Sequence, residues 1–364
     1  MTKLADHLRR RIALEGPLTV AEYMRQCLLN PRHGYYMDGD PFGCGGDFIT
    51  APEISQMFGE LIGLWCAVAW QQMGSPTMFR LVELGPGRGT LMADALRAAS
   101  GVDGFREAVD LHVVELSPAL RSAQGEVLKA LEPNFHDDLN GVPEGPLILI
   151  ANEFFDALPI HQFERATGGW NERRIGLDDD GNFVFVAAPG LIWDSAPANA
   201  TPGEIVEACP AAASVSWAIG KRLVSYGGAA LIIDYGYAAR QTGDTLQAVR
   251  DHVFYDIFSR PGEADLTAHV DFQALAEAAA GQGATVHGPV GQGEFLEGLG
   301  ISVRAEALVK AARPEQVEAV RVAHHRLVDV DAMGCLFKAL AISDPDLGPL
   351  PGFPNSSGGP IVVP

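Results

Sequence analysis

Short apolar runs alternate with amphipathic stretches through the middle of this chain. From about Phe79 the order is "FRLVEL", "TLMADALRAAS", "LHVVEL" and "PALRSAQGEVLKAL". Strand followed by helix, repeated, predicts a parallel sheet with helices on its faces. A third strand is expected near "PNFHDDL", and the fourth is "PLILIAN", an uninterrupted apolar run suited to burial on both faces. The fifth, "AALIIDYG" at Ala229 to Gly236, follows Asn152 only after about 75 residues, far more than one crossover needs. That interval holds "HQFERATGGWNERRIGLDDDGNFVFVAA", which reads as two or three antiparallel strands turning at "DDDG", and then a helix over "AAASVSWAIGKRLVSYG".

Upstream, Ile54, Met57, Phe58, Leu61, Ile62, Trp65 and Val68 recur at helical spacing and predict one buried helix face. "TAPE" marks its start: Thr50 is placed to cap, and Glu53, three residues on, completes a capping box. "DGDPFGCGGDFIT" before it is a glycine-rich loop. Downstream, "DLTAHVDFQALAEAAAGQGATVHG" gives a strand or loop, a helix and a strand, and the region from about Ile301 to Ile342 reads as helix before a Pro/Gly-rich tail. The expected division is a helical N-terminal cap or lid over 1–75, an α/β core over 76–160 and 225–292, a β/α insertion on the substrate side over 161–224, and a helical region over 293–364.

Composition narrows the function classes. The 364 residues, 47% of them hydrophobic, suffice for one large core or two modest ones. A formal charge of −20 argues against nucleic acid as a partner, because phosphate binding depends on clustered Lys and Arg. A neutral or cationic partner fits better. Cys27, Cys44, Cys66, Cys209 and Cys335 are odd in number, scattered and without a Cys-x-x-Cys pair, as free thiols in a reducing compartment would be. The start, "MTKLADHLRRRIALEGPLT", lacks the apolar core of a signal peptide, and Asp6 and Glu15 weaken a transit-peptide reading. No apolar run reaches the roughly 18 residues of a membrane span.

The candidate chemistry centres on "VELGPGRGT", Val82 to Thr90. A phosphate-binding P-loop would need a lysine that is absent here, and a dinucleotide turn would need a third glycine where Thr90 stands. Gly85, Gly87 and Gly89, spaced two apart, let a ligand approach bare backbone. Glu83 before them can take charge-assisted bonds from an ammonium. Such a loop after an acid-ended strand resembles motif I of the class I S-adenosylmethionine-dependent methyltransferases. Glu115, one strand-helix-strand unit later, is placed to accept the ribose hydroxyls. Asp137 and Asp138, at the end of the third strand, offer one acid for the adenine amino group or a capped, solvated pair.

"ANEFFDALP", Ala151 to Pro159, is the second informative stretch. Asn152, Glu153 and Asp156 fall at the carboxyl edge of the sheet, where ligands bind, with Phe154 and Phe155 as apolar wall or as core. Two acids there suit a basic acceptor. A guanidinium 4 Å from a sulfonium meets about 4 kcal/mol of repulsion at an effective dielectric of 20, which carboxylates must offset. "DLTAHVD" brings Asp265, His269 and Asp271 to alternate positions, but no second cluster completes a metal shell, so no metal is expected. His161 has no nucleophile partner for acyl transfer.

Over nearly its whole length the sequence resembles the MidA-like methyltransferases. The motifs are "HGYY", "GDFITAPEISQMFGE", "ELGPGRGTL", "VELSPALRSAQ", "ANEFFDALPIHQF", "LIIDYGY", "GEADLTAHVDF" and "MGCLFKAL". The resemblance implies a Rossmann-like class I fold, S-adenosyl-L-methionine as cofactor, and cofactor contact by Gly85, Gly87, Gly89 and Glu115, with "GDFIT", including Asp47 and Thr50, covering the site. Mitochondrial members are complex I assembly factors that methylate a protein arginine. The implied partner is therefore the large quinone-proximal subunit of complex I, and the implied location the bacterial cytoplasm or the mitochondrial matrix. A non-catalytic assembly chaperone and a small-molecule methyltransferase stay open as alternatives.

Overall fold

The computed structural model describes residues 2–37, 50–190, 197, 200–250 and 253–354, so Asp47 and Cys44 lie outside the described residues. Two compact units emerge. One comprises Ile49–Phe155, Ser214–Ala238 and Phe272–Pro364; the other comprises Met1–Phe48, Asp156–Ala213 and Ala239–Asp271.

The first unit is built on a twisted sheet of strands β1 (Phe79–Leu84), β2 (Val109–Val114), β3 (Asn134–His136), β4 (Leu147–Asn152), β5 (Gly228–Tyr237), β6 (Thr285–Gly291) and β7 (Phe337–Ser343). Their order is β6-β7-β5-β4-β1-β2-β3. β1 pairs in parallel with β2 and with β4, placing Leu81 beside Leu111 and Ile148. β4 and β5 are also parallel, and every residue of both is buried, as an uninterrupted apolar strand between helical layers must be. The order reverses between β1 and β4. At such a switch point the chains leave their strands in opposite directions and open a crevice at the carboxyl ends.

β7 corrects the expectation of helix up to Ile342. Helices do occupy Gln292–Leu299, Ile301–Ala311, Pro314–Val328 and Met333–Leu336, but Phe337–Ser343 then runs antiparallel between β5 and β6. A short apolar run such as "FKALAIS" carries no periodicity that separates a buried helix from a buried strand. Two waiting strand edges decided it.

The start of the N-terminal helical stretch also differs from expectation. Thr50 precedes a short helix, Ala51–Ile54, but its side chain makes no capping bond, so the capping box does not form. Ser55 is extended, with φ −162°, and its hydroxyl accepts from Met57 N at 3.2 Å to cap the long helix Gln56–Gln72. That helix packs closely on Thr90–Ala99. A Cβ on Gly63 would fall 2.1 Å from the Ala95 carbonyl oxygen.

The second unit joins helices Lys3–Glu15 and Val20–Leu29 to an antiparallel sheet. Its path is Leu18–Thr19, Gly169–Leu177, His161–Ala166 and Ile205–Ala208, with Phe183–Pro189 on the other side of Gly169–Leu177. The chain reverses at the "DDDG" turn, where Asp178 N donates to Asn182 O at 2.9 Å. A smaller sheet orders Val253–Tyr255, Gln247–Arg250 and Asp265–Thr267. Leu4, Leu8, Tyr23, Met24 and Ile175 share one core, so the first helices and the insertion fold together. The division thus differs from the expected one: 50–75 belongs with the large sheet, and 239–271 with the insertion. Among the described residues no helix is long and apolar enough to cross a membrane.

Candidate functional site

The crevice end of β1 carries the glycine loop. Gly85, Gly87 and Gly89 have φ of 59°, 56° and 84°, the left-handed region in which a side chain is strained. Gly89 ends the turn and starts the helix Thr90–Ala99. Space adds to strain at Gly85, where a Cβ would stand 2.9 Å from Phe154 Cδ2. Gln124, wholly buried, spans the loop and the next strand: its Nε2 donates to Gly87 O at 2.7 Å and to Glu115 Oε2 at 3.1 Å. Sequence reading carried Gln124 only as the end of "VELSPALRSAQ"; its buried amide gives no signal before the loop closes over it.

Glu83, the penultimate residue of β1, is 2% exposed, and burial pushes its carboxyl up to about 8. Its Oε2 is buried with no hydrogen-bond partner among the described residues. Such an acid is either held neutral or kept for a cation. Glu115 follows β2 and is half-buried. Ser117 N donates to its Oε1 at 2.8 Å, and its own N–H donates to His136 O at 3.0 Å. Burial, outweighing these bonds, raises its pKa.

Asp137 and Asp138 separate in role. Asp138 Oδ1 accepts from Asn140 N at 2.8 Å and Gly141 N at 3.2 Å, capping the turn Leu139–Gly141, while the exposed Asp137 pairs with Arg121 at 2.6 Å.

At the crevice end of β4 the backbone is forced. Glu153 has φ 50°, uncommon for a residue with a side chain and costing on the order of 1–3 kcal/mol. The turn is held from two sides. Glu153 N donates to Ile233 O at 2.9 Å, and Phe155 N donates to Asp234 Oδ2 at 2.9 Å. Asp234, fully buried on β5, also accepts from Tyr235 N, so it braces the turn. Glu153 Oε1 accepts from Asn152 Nδ2 at 3.1 Å and from Ala51 N at 3.0 Å, the first amide after Thr50. Asn152 Oδ1 is buried with no partner among the described residues. Phe155 is core, and Phe154 stands edge-on to it at 5.3 Å between ring centroids, facing the loop at Gly85.

Of the candidate residues, Thr50, Glu83, the three glycines, Glu115, Asp137, Asp138, Asn152 and Glu153 lie in the first unit. Asp156 opens the second unit, where it is buried and its carbonyl accepts from Ala268 N at 3.0 Å. In that unit Asp265 accepts from Tyr36 Oη at 2.9 Å and Asp271 from Arg240 Nε at 3.0 Å.

These residues fit S-adenosyl-L-methionine. A triple-glycine cradle admits its bulk, and a buried acid with an open oxygen suits a cationic ligand better than a phosphate.

Comparison with known proteins agrees. The family described as "Putative S-adenosyl-L-methionine-dependent methyltransferase" matches residues 61–290. The protein arginine methyltransferase NDUFAF7, mitochondrial, of Xenopus tropicalis is 39% identical over 368 residues, covering 93% of this chain and 85% of that protein. The Homo sapiens protein of the same name is 38% identical, covering 94% and 83%. A Burkholderia thailandensis protein crystallised with S-adenosyl-homocysteine superposes with a TM-score of 0.84 at 32% identity, covering 96% of this chain and 93% of that one. Glycine loop, strand order and relatives converge: this chain belongs to the S-adenosyl-L-methionine-dependent methyltransferase family that its residues 61–290 match.

Proposed function

We propose that the acceptor is a guanidinium nitrogen of a protein arginine, on the large quinone-proximal subunit of respiratory complex I during its assembly. The location that goes with it is the cytoplasm of a bacterium or the matrix of a mitochondrion. The observation that supports this most is Glu153. Its carboxylate is fixed by two donors on a strained backbone, beside the wall that meets the glycine loop. The relatives named protein arginine methyltransferase supply the acceptor class.

S-adenosyl-L-methionine supplies an electrophilic methyl on a sulfonium. In this reading Gly85, Gly87 and Gly89 leave it room, Glu83 meets its ammonium and Glu115 its ribose hydroxyls. Asp137 and Asp138 are both candidates for the adenine amino group; Asp138 Oδ1 caps a turn and Asp137 Oδ1 pairs with Arg121, and each keeps a second carboxylate oxygen.

Glu153 binds the guanidinium and offsets the roughly 4 kcal/mol of repulsion between two cations at 4 Å. A guanidinium holds its proton until the N–C bond forms as the sulfonium S–C bond breaks, and the methylated nitrogen then releases one N–H proton to the Glu153 carboxylate or to water. Up to that point the residues act mainly by position and field. Asn152 holds Glu153 through its Nδ2 and offers Oδ1 to a guanidinium N–H. Asp156 remains a candidate second carboxylate on its place in the sequence.

Mass spectrometry of the proteome from a deletion strain is expected to show one arginine methylation lost. Glu153→Ala should restore less than about a hundredth of the transfer rate, the scale of losing one transition-state stabiliser. Unchanged arginine methylation throughout would overturn the acceptor class. Full complementation by Glu153→Ala would overturn the residue's role.

A further inference from the structure

The capping box that Thr50 and Glu53 do not form leaves the Glu53 carboxylate for another partner. Thr90 Oγ1, the first side chain after the glycine loop, donates to Glu53 Oε1 at 2.5 Å. Glu53 lies in the short helix Ala51–Ile54, whose amides at Glu53 and Ile54 both return to Thr50 O, at 2.9 and 3.2 Å. The first amide of that helix, Ala51 N, donates to Glu153 Oε1. One rigid turn thus has its two ends on two different parts of the site: Thr90 at the cofactor loop and Glu153 at the acceptor edge.

We propose that Glu53 is a positioning residue that couples the cofactor loop to Glu153. When a ligand orders Gly89 and Thr90, the Thr90 hydroxyl fixes Glu53, Glu53 fixes the turn, and the turn presents Ala51 N–H to Glu153. Coupling of this kind needs a contact beside the ligand loop at one end and a hydrogen bond of the working group at the other, and the structure holds a hydrogen bond at each place. The left-handed backbone at Glu153 gives the second end its sensitivity, because a strained residue is held only while its surroundings over-determine it. The inference rests on the reading of Glu153 as the acceptor carboxylate.

Its test uses the full chain and S-adenosyl-homocysteine, with amide hydrogen exchange at residues 51, 53 and 54 read by NMR and affinity read by calorimetry. Saturation with the ligand is expected to slow exchange at Ala51 by about tenfold in the unaltered protein, the scale of one charge-assisted hydrogen bond. Thr90→Val should abolish that slowing when the ligand is present at saturation, set from that variant's own dissociation constant measured by calorimetry. Thr90→Ser should restore it. Glu53→Gln tests the contact from its other end and should reduce the slowing. Persistence of the full slowing in both Thr90→Val and Glu53→Gln would overturn the coupling. Failure of the unaltered protein to bind S-adenosyl-homocysteine would instead overturn the functional reading.

Discussion

Glu83 and Glu153 are both acids at strand ends, yet the chain treats them oppositely. Glu83 is buried and its Oε2 meets no donor among the described residues, so burial pushes it up to about 8 from 4.5. In the folded state it therefore keeps a proton that the unfolded chain loses, and the sign of the effect follows. Its contribution is fully present below about pH 4.5 and is lost progressively as pH rises through about 8. Glu83→Gln should open a gap in thermal midpoint over the ligand-free parent protein that widens between those limits and is flat above them; parallel pH profiles would refute this. The same protonation means that taking up S-adenosyl-homocysteine near pH 7 should release a proton. Calorimetry in two buffers of different ionisation enthalpy measures it, and Glu83→Gln should abolish it.

These acids were legible as sequence because each stands at the end of an apolar run, Glu83 directly before the glycines and Glu153 directly after the fourth strand. Their separate chemistries were not, because each depends on which donors the fold brings near. Asp138 became a cap, and Gln124 became the brace between Gly87 and Glu115, for the same reason.

At the scale of the element, the helices Gln56–Gln72 and Thr90–Ala99 owe their close approach to missing side chains. Gly59 and Gly63 face Asp94 Cβ and Ala95 O, where a Cβ would sit at 2.6 and 2.1 Å. A backbone oxygen cannot rotate away. Gly63→Ala is therefore expected to cost about 2 kcal/mol or more through overpacking, although alanine is the better helix former by close to 1 kcal/mol. The urea midpoint measures it, and an unchanged midpoint would mean that the helices can part without cost. Hydrophobic spacing found the buried face of this stretch but missed its break at Ser55. "TAPE" satisfies the sequence rule for a capping box, yet Thr90 captured Glu53 and Glu153 captured the Ala51 amide. A local rule yielded to two partners distant in sequence.

For the whole molecule, β7 is the element that closes the large sheet. It bridges β5 and β6 and brings Leu340 and Ile342 into the core, both fully buried. Leu340→Ala should destabilise by about 2–5 kcal/mol as a core truncation, read from a denaturation curve. Truncation after Leu336 should leave no cooperative transition at all. A cooperative transition in that shortened chain would show that the sheet closes without β7.

The sequence by itself determined the alternation of strand and helix up to β5, the antiparallel insertion, the glycine loop and the acids flanking it. Those features are encoded within single elements or at fixed spacings, where periodicity and turn chemistry act locally. Only the tertiary structure decided that "FKALAIS" is a strand, that the first helices share a core with the insertion, and that Glu153 sits strained against the Ala51 amide. Each of these depends on backbone donors, open strand edges or apolar faces supplied by residues far away along the chain. No local pattern records what will be waiting there.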